Sequence, residues 1–257
     1  MGKNKENELI HPAFPQPEVR STRVWRYMDL PKLISILDKR QLFLSRLDKL
    51  NDPHEGSVPR MISSEDLKLY WKELWKELDL PQDFIEDLAK IILEIRQCMP
   101  AATYVSCWHL SDNESEAMWR LYCGADQGVA IQTTYEKLAN SVIADPTIAI
   151  GLVKYIDYDK EWFPPDNLMY QCMHKRIAFA HEKEVRIIKT LLRDYRRGLR
   201  KDGIYVDWNP EKVIEHIYIN PYAPRWYYDI VKATVRKFAF VLKSRVKWST
   251  MKSLPFY

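Results

Sequence analysis

Short apolar strands alternate with helical segments along this chain without settling into a repeated strand–helix–strand unit, and that irregular alternation is what most restricts its fold. Arg23-Val-Trp-Arg-Tyr27 reads as a short strand. Asp29 then caps a helix that has Pro31 in its first turn and Leu33, Ile34, Ile36 and Leu37 on one face. Gln41–Ser45 returns as a second strand and runs into a turn, Asn51-Asp-Pro-His-Glu-Gly56. A chain of 257 residues suffices for one sizeable core and is short for two. The expected class is therefore α+β, one domain spanning 23–257 with a mixed, mostly antiparallel sheet.

Two consecutive helices are expected next. The first starts at Ser64 and carries Leu67, Tyr70, Trp71, Leu74, Trp75 and Leu78; the second starts at Pro81 and stops at Pro100. Together, at about 64–99, they read as a helical insertion on the outside of the domain. Strands follow at Thr103–Trp108, Gly128–Thr133, Ile150–Ile156, Val185–Lys189, Ile204–Trp208, Ile214–Ile219 and Arg245–Trp248. Helices are expected at Asn113–Tyr122, Tyr135–Ile143, Asp166–Phe179 and Arg225–Phe240. Residues 1–22, with Pro12, Pro15 and Pro17, read as an extended N-terminal arm.

Charge is unevenly spread. Residues 1–150 carry 18 basic and 23 acidic side chains, whereas residues 151–257 carry 21 and 12. The basic excess includes a dense run, Arg193, Arg196, Arg197, Arg200 and Lys201. Such a field favours a polyanion, above all DNA, although a solvated helix face explains the run equally simply. The four cysteines form no C-x-x-C pair and read as free thiols. With no apolar signal segment and no membrane-length apolar run, a cytoplasmic protein is expected.

No P-loop, G-x-G-x-x-G, H-E-x-x-H or G-x-S-x-G motif occurs, which argues against P-loop, dinucleotide-fold, zincin and α/β-hydrolase chemistry. Nothing in the spacing of His54, His109 and His181 asks for a metal, and none is expected. Four places carry polar residues that packing alone does not require. Asp52 and Glu55 sit with His54 in a Pro- and Gly-bounded loop, where Asp52 could equally form an Asx-turn. In His181-Glu182-Lys183-Glu184-Val185-Arg186, strand alternation puts Glu182, Glu184 and Arg186 on one face. Two such carboxylates repel, so one acid is expected to have a raised pKa and the other to stay charged; an exposed ion pair is the simpler reading. Trp108, Trp119 and Arg120 could meet a ligand, although for Trp119 and Arg120 core packing or a surface ion pair is the simpler reading; Met118, Leu121 and Tyr122 are expected in the core. Arg23 and Arg26 flank Trp25, near Tyr27, a pairing that suits phosphate or base binding.

Arg26-Tyr27, Leu42–Arg46 with Asp52-Pro53-x-Glu55-Gly56, Ser106-x-Trp108, Met118-Trp119-x-x-Tyr122, Gly128-Val-Ala-Ile131, Glu182-x-Glu184-Val-Arg186 and Val246-Lys-Trp-Ser249 occur in a recognisable order. In this the chain resembles the bacterial family catalogued as domain of unknown function 2971, from about Arg23 to Ser249. Its opening arginine strand and late glutamate strand are also similar to the ADP-ribosyltransferase fold. That resemblance implies that Arg26 holds a dinucleotide and that Glu184 or Glu182 acts at the ribose.

Base excision and ADP-ribosyl transfer share one step, rupture of a bond between a ribose carbon and a ring nitrogen through an oxocarbenium-like state. Glu184, Glu182, Asp52 and Glu55 could stabilise that cation. Arg26, Tyr27, Trp108, Trp119, Arg186 and His181 could hold the substrate or assist the leaving base, and the 193–201 run could hold the polyanion. The leading expectation is a DNA glycosylase excising modified bases, without cofactor, in phage defence. The alternative is an NAD-dependent ADP-ribosyltransferase acting on nucleic acid or protein. A non-catalytic nucleic-acid- or nucleotide-binding module is the third.

Overall fold

In a computed structural model, which describes residues 11–60, 64–76, 81–124 and 126–253, the strands are β1 (Arg23–Asp29), β2 (Gln41–Arg46), β3 (Thr103–Leu110), β4 (Gly128–Thr134), β5 (Ile148–Leu152), β6 (Lys154–Ile156), β7 (His174–Arg176), β8 (Glu184–Thr190), β9 (Gly203–Asp207), β10 (His216–Ile219) and β11 (Val246–Trp248). The helices are α1 (Leu30–Lys39), α2 (Ser64–Trp75), α3 (Gln82–Ala102), α4 (Glu116–Cys123), α5 (Tyr135–Val142), α6 (Tyr170–Met173), α7 (Leu192–Arg196), α8 (Pro210–Val213) and α9 (Arg225–Phe238). The class is mixed α and β, with a mostly antiparallel sheet.

The main sheet runs β11-β10-β4-β1-β3-β2-β9, and β8 joins the other side of β3 with β5 beyond it. Among the described residues only β10–β11 in this sheet, and the separate pair β6–β7, are parallel. Side chains alternate across a strand, so one face collects Val24, Met28, Leu42, Leu44, Val129, Ile131, Val185, Ile187, Ile217 and Ile219. Helices α1, α5 and α9 cover it with Leu33, Ile36 and Leu37, with Tyr135 and Leu138, and with Val231 and Val235. Asp29 Oδ1 accepts from the Lys32 amide and starts α1 directly from the end of β1.

The opposite face carries two smaller apolar groups. Leu47, Met99, Val105, Met173 and Ile188 form one, and Trp25, Tyr27, Met118, Trp119 and Ala130 form the other. The polar saddle between them is where the candidate site lies.

Several sequence expectations need correction. The second helix does not stop at Pro100 but continues to Ala102. Proline leaves the Arg96 carbonyl without its helical donor, and the buried Gln171 Nε2 supplies one at 2.8 Å while also bonding the Gly56 carbonyl at 3.0 Å. The helix expected at Asp166–Phe179 shrinks to α6, followed by β7 and a 3₁₀ segment, Ile177–Glu182. Pairing of β7 with β6 and burial of Lys175 among carboxylates override the helical spacing. Ile150–Ile156 is two strands, because at Val153 the chain leaves β8 to pair with β7.

The stretch 11–22 lies against the domain rather than free of it. Ala13 and Phe14 are buried in the smaller apolar group, and Gly151 has room for no side chain because the Phe14 backbone would lie 2.7 Å from a Cβ there. Residues 1–10 of the expected arm and Leu78 of the expected insertion lie outside the described residues. Within the insertion, α2 and α3 pack through Leu67, Trp71 and Ala89 in a cluster of their own. No helix among the described residues is long and apolar enough to cross a membrane.

Candidate functional site

Strand β3 builds the site by the way it pairs. Along one side it is bonded to β8 without a break, from Thr103 opposite Thr190 to His109 opposite Glu184. Along the other side it pairs only at its two ends, with β2 at Tyr104–Val105 and with β1 at His109–Leu110. Between these, at Ser106, Cys107 and Trp108, β1 and β2 diverge and the sheet splits. A cleft of about 450 Å³ opens there, within the range that takes a small organic ligand. Arg26, Tyr27, Asp52, Glu55, Cys107, Trp108, His109, Tyr122, Lys175, His181, Glu182 and Glu184 contribute to its lining.

Beneath the cleft lies a buried charge cluster that joins Glu55 to the stretch from Lys175 to Arg186. The Arg186 guanidinium grips Glu184 with two bonds, Nε to Oε1 at 2.6 Å and Nη2 to Oε2 at 2.9 Å. Its Nη2 also reaches Glu55 Oε2 at 3.2 Å, and its Nη1 donates to the Cys172 carbonyl at 2.6 Å. Lys175 Nζ stands where three carboxylates converge, 2.7 Å from Glu182, 3.0 Å from Glu55 and 3.8 Å from Glu184. The ammonium occupies the position a bound cation would need, and among the described residues no group of three or more His, Cys, Asp and Glu side chains is set out to hold a metal. Three acids against two bases leave the cluster with one acidic group in excess.

The electrostatics follow from burial and partners. Burial opposes ionisation of Glu184, but Arg186 and then Lys175 outweigh it, so its pKa falls below the ordinary carboxylate value. The raised acid expected of the Glu182/Glu184 pair is therefore not Glu184, because the arginine on its own strand holds it charged. Burial likewise works against the Lys175 ammonium, and Glu184, Glu55 and Glu182 more than compensate, raising its pKa. Arg26 is the opposite case. Among the described residues its buried Nη1 has no partner and its Nη2 makes only a long 3.4 Å bond to the Phe43 carbonyl; its guanidinium lies 5.9 Å from the Trp108 ring. Burial without a counter-ion lowers its pKa to about 10, so it stays a cation at neutral pH.

Of the three cluster carboxylates, Glu182 is the one nearest solvent. Its side chain is 9% exposed, against 3% for Glu184 and 1% for Glu55. One of its oxygens holds Lys175 and the other accepts the Tyr122 hydroxyl at 2.9 Å. Asp52 lies apart from the cluster, paired with Arg176 at 2.6 Å, and also accepts from the His54 amide at 3.1 Å in the Asx-turn foreseen for this loop.

The remaining expected site residues divide. Trp108 touches the cleft but is 2% exposed and belongs mainly to the core, where it meets Trp208. Arg186 lies wholly beneath the cleft floor. Trp119 does not reach the cleft: α4 turns it onto the sheet, edge-on to Tyr27 at 4.9 Å, with its Nε1 bonded to Glu114. Leu121 and Tyr122, expected in the core, are instead exposed at the cleft edge, because α4 packs through Met118, Trp119 and Cys123. Arg193, Arg196, Arg197, Arg200 and Lys201 are exposed and line no part of the cleft. They begin beyond Thr190, at the end of β8 away from Glu184, roughly 20 Å along a strand of that length.

Sequence reasoning missed Lys175, His109 and Tyr122. The only sequence signal for Lys175 was its place in a polar triplet, His174-Lys-Arg176, inside an otherwise apolar stretch.

No protein-family model matches the chain, and neither a curated protein nor a solved structure matches it.

Proposed function

We propose that the cleft receives a nucleoside unit of DNA and breaks the bond between its sugar carbon and its base nitrogen, making the protein a glycosylase that excises modified bases. One observation carries this reading: a buried cluster with an acidic excess forms the floor of a cleft that also contains an unpaired guanidinium. Net negative charge in a water-poor site stabilises an oxocarbenium-like sugar as it forms. The cation opposite it, Arg26, suits the electron-rich leaving base or an adjacent phosphate. Glu182 is the carboxylate closest to the sugar in this reading, and Glu184 and Glu55 hold Lys175 and Arg186 in place around it.

A specific observation favours a second reading, NAD-dependent ADP-ribosyl transfer. Arg26 on the first strand and Glu184 on a late strand face one cleft through a split in the sheet, which accords with the resemblance to the ADP-ribosyltransferase fold. The unpaired Arg26 guanidinium fits a dinucleotide phosphate, so NAD is chemically compatible with the cleft.

Incubation with modified and unmodified DNA, with and without NAD, followed by mass analysis, separates the two. Free base and an abasic site without NAD support the glycosylase. Nicotinamide release and added target mass that require NAD support the transferase. Neither product, on any DNA or RNA, leaves a binding module.

A further inference from the structure

One titratable ring of the cleft has no part yet in the glycosylase chemistry. His109, near the end of β3, sits opposite Glu184 in the ladder and lines the cleft. Its Nδ1 lies 2.6 Å from the carbonyl oxygen of Glu182. A carbonyl can only accept, so Nδ1 carries the proton and the neutral ring presents a lone pair at Nε2. Nε2 has no protein partner among the described residues. Tyr27 meets the ring edge-on, with the centroids 6.4 Å apart. The backbone that carries the carboxylate nearest the cleft thus also fixes the tautomer of the only imidazole that β3 places there.

We propose that His109 is a catalytic base, taking the proton from the nucleophile that attacks the sugar; this role rests on the N-glycosidic reading of the cleft. In the step, a water oxygen bonds to the sugar carbon as the carbon–nitrogen bond breaks, and that bond's electron pair stays on the base nitrogen. The water proton moves to His109 Nε2 and is returned to the departed base, so atoms and charge balance without a co-reactant. The same ring would serve a hydroxyl nucleophile in a transfer reaction.

The surroundings keep the base form available. Burial lowers the pKa of His109, the Glu182 carbonyl and carboxylate act in the opposite direction, and Lys183 and His181 lower it further. Glu184 across the ladder and the Tyr27 hydroxyl are the other titratable groups beside it. A ring below its ordinary value of 6.5 is neutral at pH 7 and competent to accept.

The test compares pH–rate profiles of base release for the wild-type protein and His109→Asn. The Asn amide nitrogen falls near the Nδ1 position and can keep the bond to Glu182. The wild-type rate should fall as the pH drops below 6.5. The variant should bind DNA as before, react on the order of 10²-fold more slowly and lose that acid limb. Nitrogen-15 NMR of the intact protein should show the proton on Nδ1. An unchanged rate, a slow variant that keeps the limb, or a proton on Nε2 overturns the role of His109 while leaving the glycosylase reading standing. If wild-type protein yields neither base nor nicotinamide, the N-glycosidic reading itself fails and the role falls with it.

Discussion

Arg186 binds Glu184, two residues before it on the same strand, through two bonds of 2.6 and 2.9 Å, with both side chains sealed from water. The pair is fixed by strand alternation and needs no loop to bring it together. It anchors a cluster whose other members come from the 51–56 loop, from β7 and from the 3₁₀ segment that ends at Glu182.

Removing the guanidinium should be far more damaging than removing an exposed one. Arg186→Met leaves Glu184 and Glu55 buried with one cation between them, and should destabilise the fold by about 3–5 kcal/mol. Urea unfolding measures it. Arg186→Met combined with Glu184→Leu should recover part of that stability, since the orphaned carboxylate is then gone.

The depressed pKa of Glu184 has a stability consequence of definite sign. A carboxylate whose folded pKa lies below its unfolded one stabilises the fold above the unfolded value, 4.5, and that contribution is lost as pH falls through the lower folded value. His109, His174 and His216 are also held below 6.5, chiefly by burial that favours the neutral ring, so as pH falls from 6.5 the unfolded chain takes up protons first and stability drops. Stability should therefore decline in two stages on acidification. Glu184→Gln should flatten only the stage below pH 4.5, as read from unfolding midpoints across pH.

Glu182→Gln and Glu184→Gln should differ in kind. Glu182→Gln should retain fold and ligand binding and reduce activity on the order of 10²-fold, because a neutral amide cannot offset a developing cation. Glu184→Gln should lower activity and unfolding midpoint together, since it loosens Arg186 as well. Full activity in Glu182→Gln would move the role to another carboxylate of the cleft.

The basic run should act on affinity and not on chemistry. Replacing Arg196, Arg197 and Arg200 with Ala should flatten the plot of log K for DNA against log [salt], by about 0.9 for each phosphate no longer neutralised. An unchanged slope would leave these exposed residues with solubility alone.

Gly56 tests the support beneath the loop. It adopts φ +73°, and a Cβ there would lie 2.8 Å from Pro100 Cγ, so Gly56→Ala should destabilise the protein by about 1–3 kcal/mol and shift Glu55. Differential scanning calorimetry, with activity in parallel, checks both effects.

What was legible in the sequence was what local rules control. Asp29 before Pro31 gave the start of α1, and alternation in Glu184-Val-Arg186 gave the shared face, because each depends on neighbours within a few residues. Lys175 was hidden because three strand residues inside a helical spacing pattern carry no periodic signal; only the distant carboxylates explain the conformation. Trp119 and Tyr122 were exchanged for a related reason. A helix of eight residues does not reveal from its own sequence which side meets the sheet, and the aromatic residues fit either side.

The bond between Arg186 and Glu55 spans 131 residues of chain. At ribosomal elongation rates of about 5–20 residues per second, Glu55 waits roughly 7–26 s after its own synthesis before its partner is made. Until Lys175, and after it Arg186, has been made, the nascent chain cannot bury the 51–56 loop without stranding a carboxylate, so the site assembles late in synthesis. A chain cut short before Lys175 would have neither cation to set against Glu55.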